Sequence, residues 1–98
     1  MEIAKTVDGD SISFALTGRL DTNTSPELET AVDECIADAK ALTFDFANLE
    51  FLSSAGLRVL LKAQKAMNKQ GTMTIRNVND VIMEVFEVTG FVDILTIE

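Results

Sequence analysis

Histidine, tryptophan and tyrosine are absent from this chain of 98 residues, and Cys35 is its single cysteine. Without histidine and with one cysteine, the usual ligand sets for transition metals cannot be assembled within one chain. The same absence excludes nucleophile activation of the Ser-His or Cys-His kind. A lone thiol forms no intrachain disulfide, which is typical of the reducing cytoplasm. The composition therefore predicts a cytoplasmic protein that is not an enzyme and holds no metal.

Several sequence signals of other protein classes are missing as well. The five glycines are scattered singly, so there is no glycine-rich phosphate loop, and no cofactor is expected. No run of about eighteen apolar residues occurs, and the first residues lack a basic region followed by an apolar stretch, so neither a membrane span nor an export signal is predicted. A net charge of −8 opposes binding to nucleic acid.

What the chain does contain is 47% apolar residues in alternating strand and helix patterns, which suits one domain over residues 1–98. Strands are predicted over 2–7, 11–17, 41–46, around Met73 and Ile75, and over 94–97. Helices are predicted from 26 to about 39, from about 54 to 69, and over 80–89. Asp8-Gly9 predicts a hairpin between the first two strands. The result is an α/β fold with βαβ units, a mixed sheet of about five strands with an N-terminal antiparallel hairpin, and three to four helices.

Local signals mark the ends and buried faces of the helices. Ser25 before Pro26 predicts a cap followed by the first helical residue, and Gly71 and Gly90 are expected beyond the ends of the second and third helices. Leu60 is predicted to face inward from the second helix. On the third helix the predicted inward residues are Val81, Ile82, Val85, Phe86 and Val88.

One basic stripe stands out on the second helix of this acidic chain. Arg58, Lys62, Lys65 and Lys69 are spaced so that they share one side of the helix. The stripe is either a solvated outer face or a contact surface for an acidic partner.

The most informative segment runs from Phe51 to Leu61, where an apolar strand leads into an amphipathic helix. Two hydroxyls, on Ser53 and Ser54, lie at this junction. The first turn of a helix has free N–H groups and a partial positive charge, so it accepts either a capping oxygen or an anion. Ser54 is therefore a candidate helix cap and a candidate phosphoacceptor, and Ser53 is an alternative for both roles. Glycine at position 56 lowers helix stability, which indicates close approach of a partner, of a phosphate, or of packed residues within the domain.

Two short elements carry a resemblance to a known family. Gly18-Arg19-Leu20-Asp21 and Ser54-Ala55-Gly56-Leu57, at this separation and in this order of strands and helices, resemble the STAS domain of bacterial anti-sigma factor antagonists. The likeness covers essentially the whole chain. One residue departs from the family pattern, because Ser53 stands where the family commonly has aspartate.

The resemblance implies a regulatory protein that binds a serine-kinase anti-sigma factor and so frees the sigma factor. Phosphorylation of Ser54 would then release the kinase, and a serine phosphatase would reset the switch. The resemblance also implies that Asp21 lies beside Ser54 on the partner-binding surface, since the ends of neighbouring parallel strands share one edge of a sheet. We expect a free monomer whose partner-binding residues are Asp21, Thr22, Asn23, Ser53, Ser54, Ala55, Gly56 and Arg58.

Three alternatives use the same residues. A STAS scaffold could assemble partners without phosphorylation, and Ser53 in place of aspartate is its main support. A small-molecule or nucleotide sensor could use the same edge of the sheet, although the chain has no phosphate loop and no aromatic cage. An enzyme with Ser54 as nucleophile would lack a histidine base.

Overall fold

The computed structural model describes all residues, Met1–Glu98. Its strands are β1 (Glu2–Asp8), β2 (Ser11–Leu20), β3 (Ala41–Leu52) and β4 (Thr72–Arg76). Its helices are α1 (Ser25–Asp33), α2 (Ser54–Met67) and α3 (Asp80–Thr89), with short 3-10 turns at Ile36–Asp38 and Phe91–Asp93. The strands lie in the order β1-β2-β3-β4, in which β1 and β2 are antiparallel and the other pairs are parallel. The predicted α/β fold with an N-terminal hairpin and βαβ units is confirmed.

One face of the sheet carries the core. Ile12, Phe14 and Leu16 are buried on β2, whereas the alternating Ala15 and Thr17 are exposed. Buried residues of all three helices join this face in one cluster, in which Leu60 is fully buried as predicted. The helices therefore cover one side of the sheet, and small polar residues line much of the other side.

The prediction of a fifth strand over 94–97 is wrong. Gly90 has a left-handed φ of 81° and ends α3, after which the chain turns through Phe91–Asp93. Leu95 is buried, and only Ile97 forms an isolated bridge with Ile75. In segment 94–97, Leu95 anchors the chain to the core and Ile97 forms a single bridge, which accounts for the apolar pattern without a strand. The sheet therefore has four strands.

Strands β2 and β3 are longer than the predicted ranges 11–17 and 41–46. Their pairing has register shifts between Ala15 and Thr17 and between Gly18 and Arg19, which interrupt the alternation that the sequence prediction used. The added length of β2 and β3 brings the ends of both strands together beside α2.

Asp45, on β3, accepts two hydrogen bonds with its carboxylate. The donors are the N–H of Ala47 and the Asn77 side chain, both at 2.9 Å. The Asn77 bond, followed by the Ala47 bond, lowers the pKa of Asp45.

Helix α1 also differs from its prediction at both ends. It ends at Asp33 instead of continuing to about 39, and the chain then forms the turn at Ile36–Asp38. Ser25 is not its cap: Thr24 occupies that position, and the buried Ser25 hydroxyl donates to the carbonyl oxygen of Asp21 at 2.5 Å. Pro26 lies at the start of the helix, as predicted.

Helix α3 presents a narrower buried face than predicted. Ile82 and Phe86 are fully buried, and the Phe86 ring stacks on Phe46 with centroids 6.4 Å apart. Val81 and Val88, predicted to face inward, are 64% and 80% exposed. The helix packs against β3 on one side only, so the flanks of its apolar arc remain in solvent.

Candidate functional site

The junction between β3 and α2 is capped by Ser53. The Ser53 hydroxyl accepts a hydrogen bond from the N–H of Gly56 at 3.4 Å, and the Ser53 N–H donates to the carbonyl oxygen of Leu20 at 2.9 Å. The second bond ties the start of α2 to the end of β2. Of the two hydroxyls that the sequence offered, Ser53 therefore takes the capping position.

Ser54 is the first residue of α2 and is exposed. Its hydroxyl forms none of the side-chain hydrogen bonds of the chain, because the cap is already supplied by Ser53. It lies at the end of the helix where the partial positive charge of the backbone is concentrated. An added anion at this hydroxyl would be accessible to solvent and electrostatically favourable for the helix.

Gly56 is buried beneath the ends of the two central strands. A Cβ atom at this position would lie 2.7 Å from Cδ1 of Leu52 and 2.8 Å from Cγ of Leu20. Both separations are shorter than a normal van der Waals contact, so alanine would require both leucines to move. Packing inside the domain accounts for this glycine, and no approaching partner or phosphate is needed to explain it.

Asp21 organises the loop between β2 and α1. Its carboxylate accepts hydrogen bonds from the N–H of Thr24 at 3.1 Å and from the N–H of Asn23 at 3.0 Å, and its Oδ2 lies 3.8 Å from Nε of Arg19. These interactions, the Thr24 bond foremost, lower the pKa of Asp21. The residue thus shapes the loop directly, a role that the sequence analysis did not assign to it.

Asp21→Ala is therefore expected to lower Tm at neutral pH. A carboxyl group whose pKa is depressed in the folded state stabilises the fold above its unfolded pKa, near 3.8, and loses that effect as the pH falls through the folded value. The difference in Tm between wild type and Asp21→Ala should thus shrink on acidification below this range. Circular dichroism melts between pH 7 and strongly acidic pH measure it.

The exposed Asp8, the last residue of β1, provides the control for that series. Asp8→Ala removes an equal charge but no side-chain hydrogen bond. If both variants gave the same pH dependence of Tm, the structural role of Asp21 would be refuted.

A shallow groove runs between the N-terminal ends of α1 and α2. Of the predicted partner-binding residues, Thr22, Ala55 and Arg58 line it together, with Pro26 and Glu29 on the α1 side. Asn23 and Ser54 are exposed nearby in sequence but do not line it. The structure therefore brings part of the predicted surface into one concave region.

Arg19 and Phe51 are neighbours that the sequence analysis left out of the site. They are partners in the β2–β3 register, and the Arg19 guanidinium lies 4.2 Å from the centroid of the Phe51 ring. This cation–π contact places an exposed aromatic ring one residue before Leu52, at the edge that carries Ser53. The signal in the sequence was an apolar aromatic residue outside the alternating pattern of β3.

The basic stripe on α2 is partly neutralised within the chain. Nζ of Lys62 lies 3.3 Å from Asp33 and 3.6 Å from Glu29, both on α1. The hydrogen bond and charge of Asp33, followed by the charge of Glu29, raise the pKa of Lys62. Arg58, in contrast, forms none of the four ion pairs of the chain and lines the groove.

None of the helices combines the length and the apolar character needed to span a bilayer. No cluster of three or more Cys, Asp or Glu side chains is placed so that it could hold a metal ion.

The chain is similar to known proteins in both sequence and structure. A model described as the STAS domain matches residues 2–98. An anti-sigma-B factor antagonist of Listeria monocytogenes is 27% identical over 93 residues, covering 93% of this chain and 82% of that protein. An anti-sigma F factor antagonist of Paenibacillus polymyxa is 32% identical over 85 residues, covering 84% and 73%.

Solved structures share the same fold. An anti-sigma factor antagonist from Mycobacterium paratuberculosis superposes with a TM-score of 0.88 at 23% identity, covering 98% of this chain and 83% of that one. SpoIIAA, an anti-sigma factor antagonist, superposes in its unphosphorylated form with a TM-score of 0.79 at 16% identity, covering 99% and 87%. SpoIIAA of Bacillus in the phosphorylated form gives 0.78 at 17% identity, covering 99% and 91%.

Proposed function

The chain belongs to the STAS domain family, and from this premise we propose that it is an anti-sigma factor antagonist whose partner binding is switched by phosphorylation of Ser54. The single observation that carries the switch is the exposed position of Ser54 as the first residue of α2, directly after a separate capping residue. The names of the curated relatives support the antagonist role.

The partner in this proposal is an anti-sigma factor that is also a serine kinase. It docks on the surface formed by residues 18–24 and 52–62, and the pairing of Leu20 with Leu52 at the ends of β2 and β3 supports this placement. The Ser54 oxygen attacks the γ-phosphorus of ATP bound to the kinase, its proton passes to the kinase, and ADP leaves. The kinase brings ATP and magnesium, and a serine phosphatase later hydrolyses the phosphate ester.

The phosphate acts on binding and leaves the fold intact. It adds about −1.5 to −2 charge beside the N-terminus of α2, where the helix dipole tolerates a negative charge. A docked partner would have to remove water from this dianion, which is costly unless new charged contacts compensate. Phosphorylation therefore releases the partner through charge and desolvation, and the core remains as it was.

A second candidate is a scaffold that binds its partners without any phosphorylation. It is favoured by Ser53, which stands in the place where the family commonly has aspartate and whose hydroxyl is engaged in capping α2. The same surface would then bind partners constitutively.

We expect the cognate kinase, with ATP and magnesium, to transfer one phosphate group to Ser54. The reason is that Ser54 is exposed and free, whereas the half-buried Ser53 is hydrogen bonded. Mass spectrometry of the digested protein locates the phosphate. Ser54→Ala should abolish labelling and the matched variant Ser53→Ala should retain it. Labelling at Ser53 would contradict the assignment, and absence of labelling would favour the scaffold.

A further inference from the structure

The outer face of α3 carries a stripe of exposed valines. Val81, Val85 and Val88 are spaced by four and three residues, which places them on one side of a helix. Val81 and Val88 are 64% and 80% exposed, and Val85 is half-buried. Together with Glu84 and Thr89 they line a shallow open groove along the helix.

Folding does not account for Val81 and Val88. The fully buried residues of α3 are Ile82 and Phe86, and the half-buried Val85 packs against the edge of the core, whereas Val81 and Val88 lie outside it. A β-branched residue is a weaker helix former than alanine, lysine or glutamate, so valine at an exposed helical position gives no local advantage. Contiguous exposed apolar residues bordered by polar ones are typical of an interaction surface.

The charges around the stripe have one sign. Asp80, Glu84 and Glu87 lie on α3, and residues 77–98 contain no lysine or arginine. None of these three acids takes part in the ion pairs of the chain, in contrast to the acids of α1 that neutralise Lys62. The stripe therefore has an acidic border that is free to attract positive charge.

We propose that this α3 surface, formed by Val81, Glu84, Val85, Glu87 and Val88, binds a basic amphipathic helix of a protein partner. Apolar side chains of that helix pack on the valines, and its lysines or arginines pair with Glu84 and Glu87. Anionic lipid surfaces and nucleic acid carry the wrong charge for this border. A second copy of the chain that docked through the same α3 face would present the same acids and be repelled. The surface is separate from the Ser54 switch, because it lies on a different helix.

A peptide titration tests the proposal. The isotope-labelled chain of residues 1–98 is titrated with a synthetic helix of about 15 residues that has leucines on one face and lysines on the other. Binding is measured from the changes in amide chemical shifts in NMR spectra. The same peptide with glutamate for every lysine is the charge control. We expect shifts concentrated on α3 with the lysine peptide and none with the glutamate peptide, and weaker binding at high salt.

Variants separate this surface from general attraction to an acidic protein. Val81→Ser/Val88→Ser keeps similar helix propensity and should weaken binding about tenfold or more, as should Glu84→Lys/Glu87→Lys. Val7→Ser, at an exposed valine beside Asp8 on β1, should leave it unchanged. Ser54→Asp should also leave it unchanged, so failure of the switch and failure of this surface give different results.

Three outcomes would overturn the proposal. The first is shifts spread equally over the acidic side of α1. The second is unchanged affinity in both double variants that alter α3. The third is a dimer of the wild-type protein in analytical ultracentrifugation that Val81→Ser/Val88→Ser dissociates, because a second copy would then be the occupant.

Discussion

Ser54→Asp is expected to weaken binding of the anti-sigma factor partner by about 100-fold or more, which corresponds to about 2.7 kcal/mol. A carboxylate at this exposed position must lose water when the partner docks, and a charge buried without a counter-charge costs several kcal/mol. Stability should not fall, because an acid in the first turn of a helix adds about 0.3–1 kcal/mol. Isothermal titration calorimetry measures the affinity, and a thermal melt measures the fold.

Two variants serve as controls for this result. Ser54→Ala removes the hydroxyl without adding charge and should bind as wild type does, while resisting phosphorylation. Ser53→Asp places the same charge one residue earlier, where aspartate is as good a helix cap as serine. Its carboxylate is directed towards the N–H of Gly56 and should leave binding within a few-fold of wild type.

The charge mechanism would be contradicted by either of two results. In the first, the Ser54→Asp variant binds the partner as tightly as wild type does. In the second, the Ser54→Asp variant unfolds at a temperature where wild type is folded. Equal loss of binding in Ser53→Asp and Ser54→Asp would show that general repulsion at this end of the molecule decides the affinity, and that the position of Ser54 does not.

The parts of the fold that sequence could predict are those specified by local signals. Ile12, Phe14 and Leu16 alternate strictly and lie in the core, and Asp8-Gly9 marks the hairpin, whose turn begins at Gly9 with a φ of 62°. Pro26 marks the start of α1 and Gly90 the end of α3 for reasons that act within a few residues.

The features that sequence could not predict depend on neighbours distant in the chain. The register shifts in the pairing of β3 with β2 interrupt the alternation of apolar and polar residues over 47–50. The sequence therefore gives no sign there that the strand continues. Val81 and Val88 fit a buried helical face as well as Ile82 does, and only the one-sided packing of α3 separates them. The segment 94–97 has the composition of a strand, but the turn after Gly90 leaves it one bridge.

In the candidate site, too, local motifs could be predicted from the sequence, whereas features that depend on distant residues could not. The two motif elements predict that Asp21 and Ser54 lie at one edge of the sheet, and the register that pairs Leu20 with Leu52 supports this. The sequence did not decide which of Ser53 and Ser54 caps α2 and which has a free hydroxyl, because both are serines at the start of the helix. The packing of Gly56 under Leu20 and Leu52 depends on side chains from two strands.

Gly71→Ala is expected to have the largest effect on stability, lowering the free energy of unfolding by about 3 kcal/mol, or Tm by roughly 12–24 °C for a domain of this size. A Cβ atom here would overlap the backbone carbonyl group of Lys40. That carbonyl accepts the N–H of Thr72 at 3.0 Å, and the Gln70 side chain donates to the carbonyl of Ala39 at 2.7 Å. A backbone in a hydrogen-bonded corner cannot move as a flexible side chain does. Urea denaturation measures the loss.

Substitutions at Gly71 and Gly90 distinguish packing from helix capping. The sequence predicted that Gly71 follows the end of α2 as a C-terminal cap, but α2 already ends at Met67. The glycines with positive φ are Gly9, Gly18 and Gly90, so Gly71 lacks the left-handed conformation of a capping glycine. Gly90 has no atom within 4 Å of an added Cβ, so Gly90→Ala should cost only about 1 kcal/mol of backbone strain. Asparagine tolerates the left-handed conformation, so a cap would accept Gly71→Asn better than Gly71→Ala. Since the obstacle is the Lys40 backbone, we expect the larger asparagine to destabilise at least as much as alanine, and the reverse order would restore the capping role.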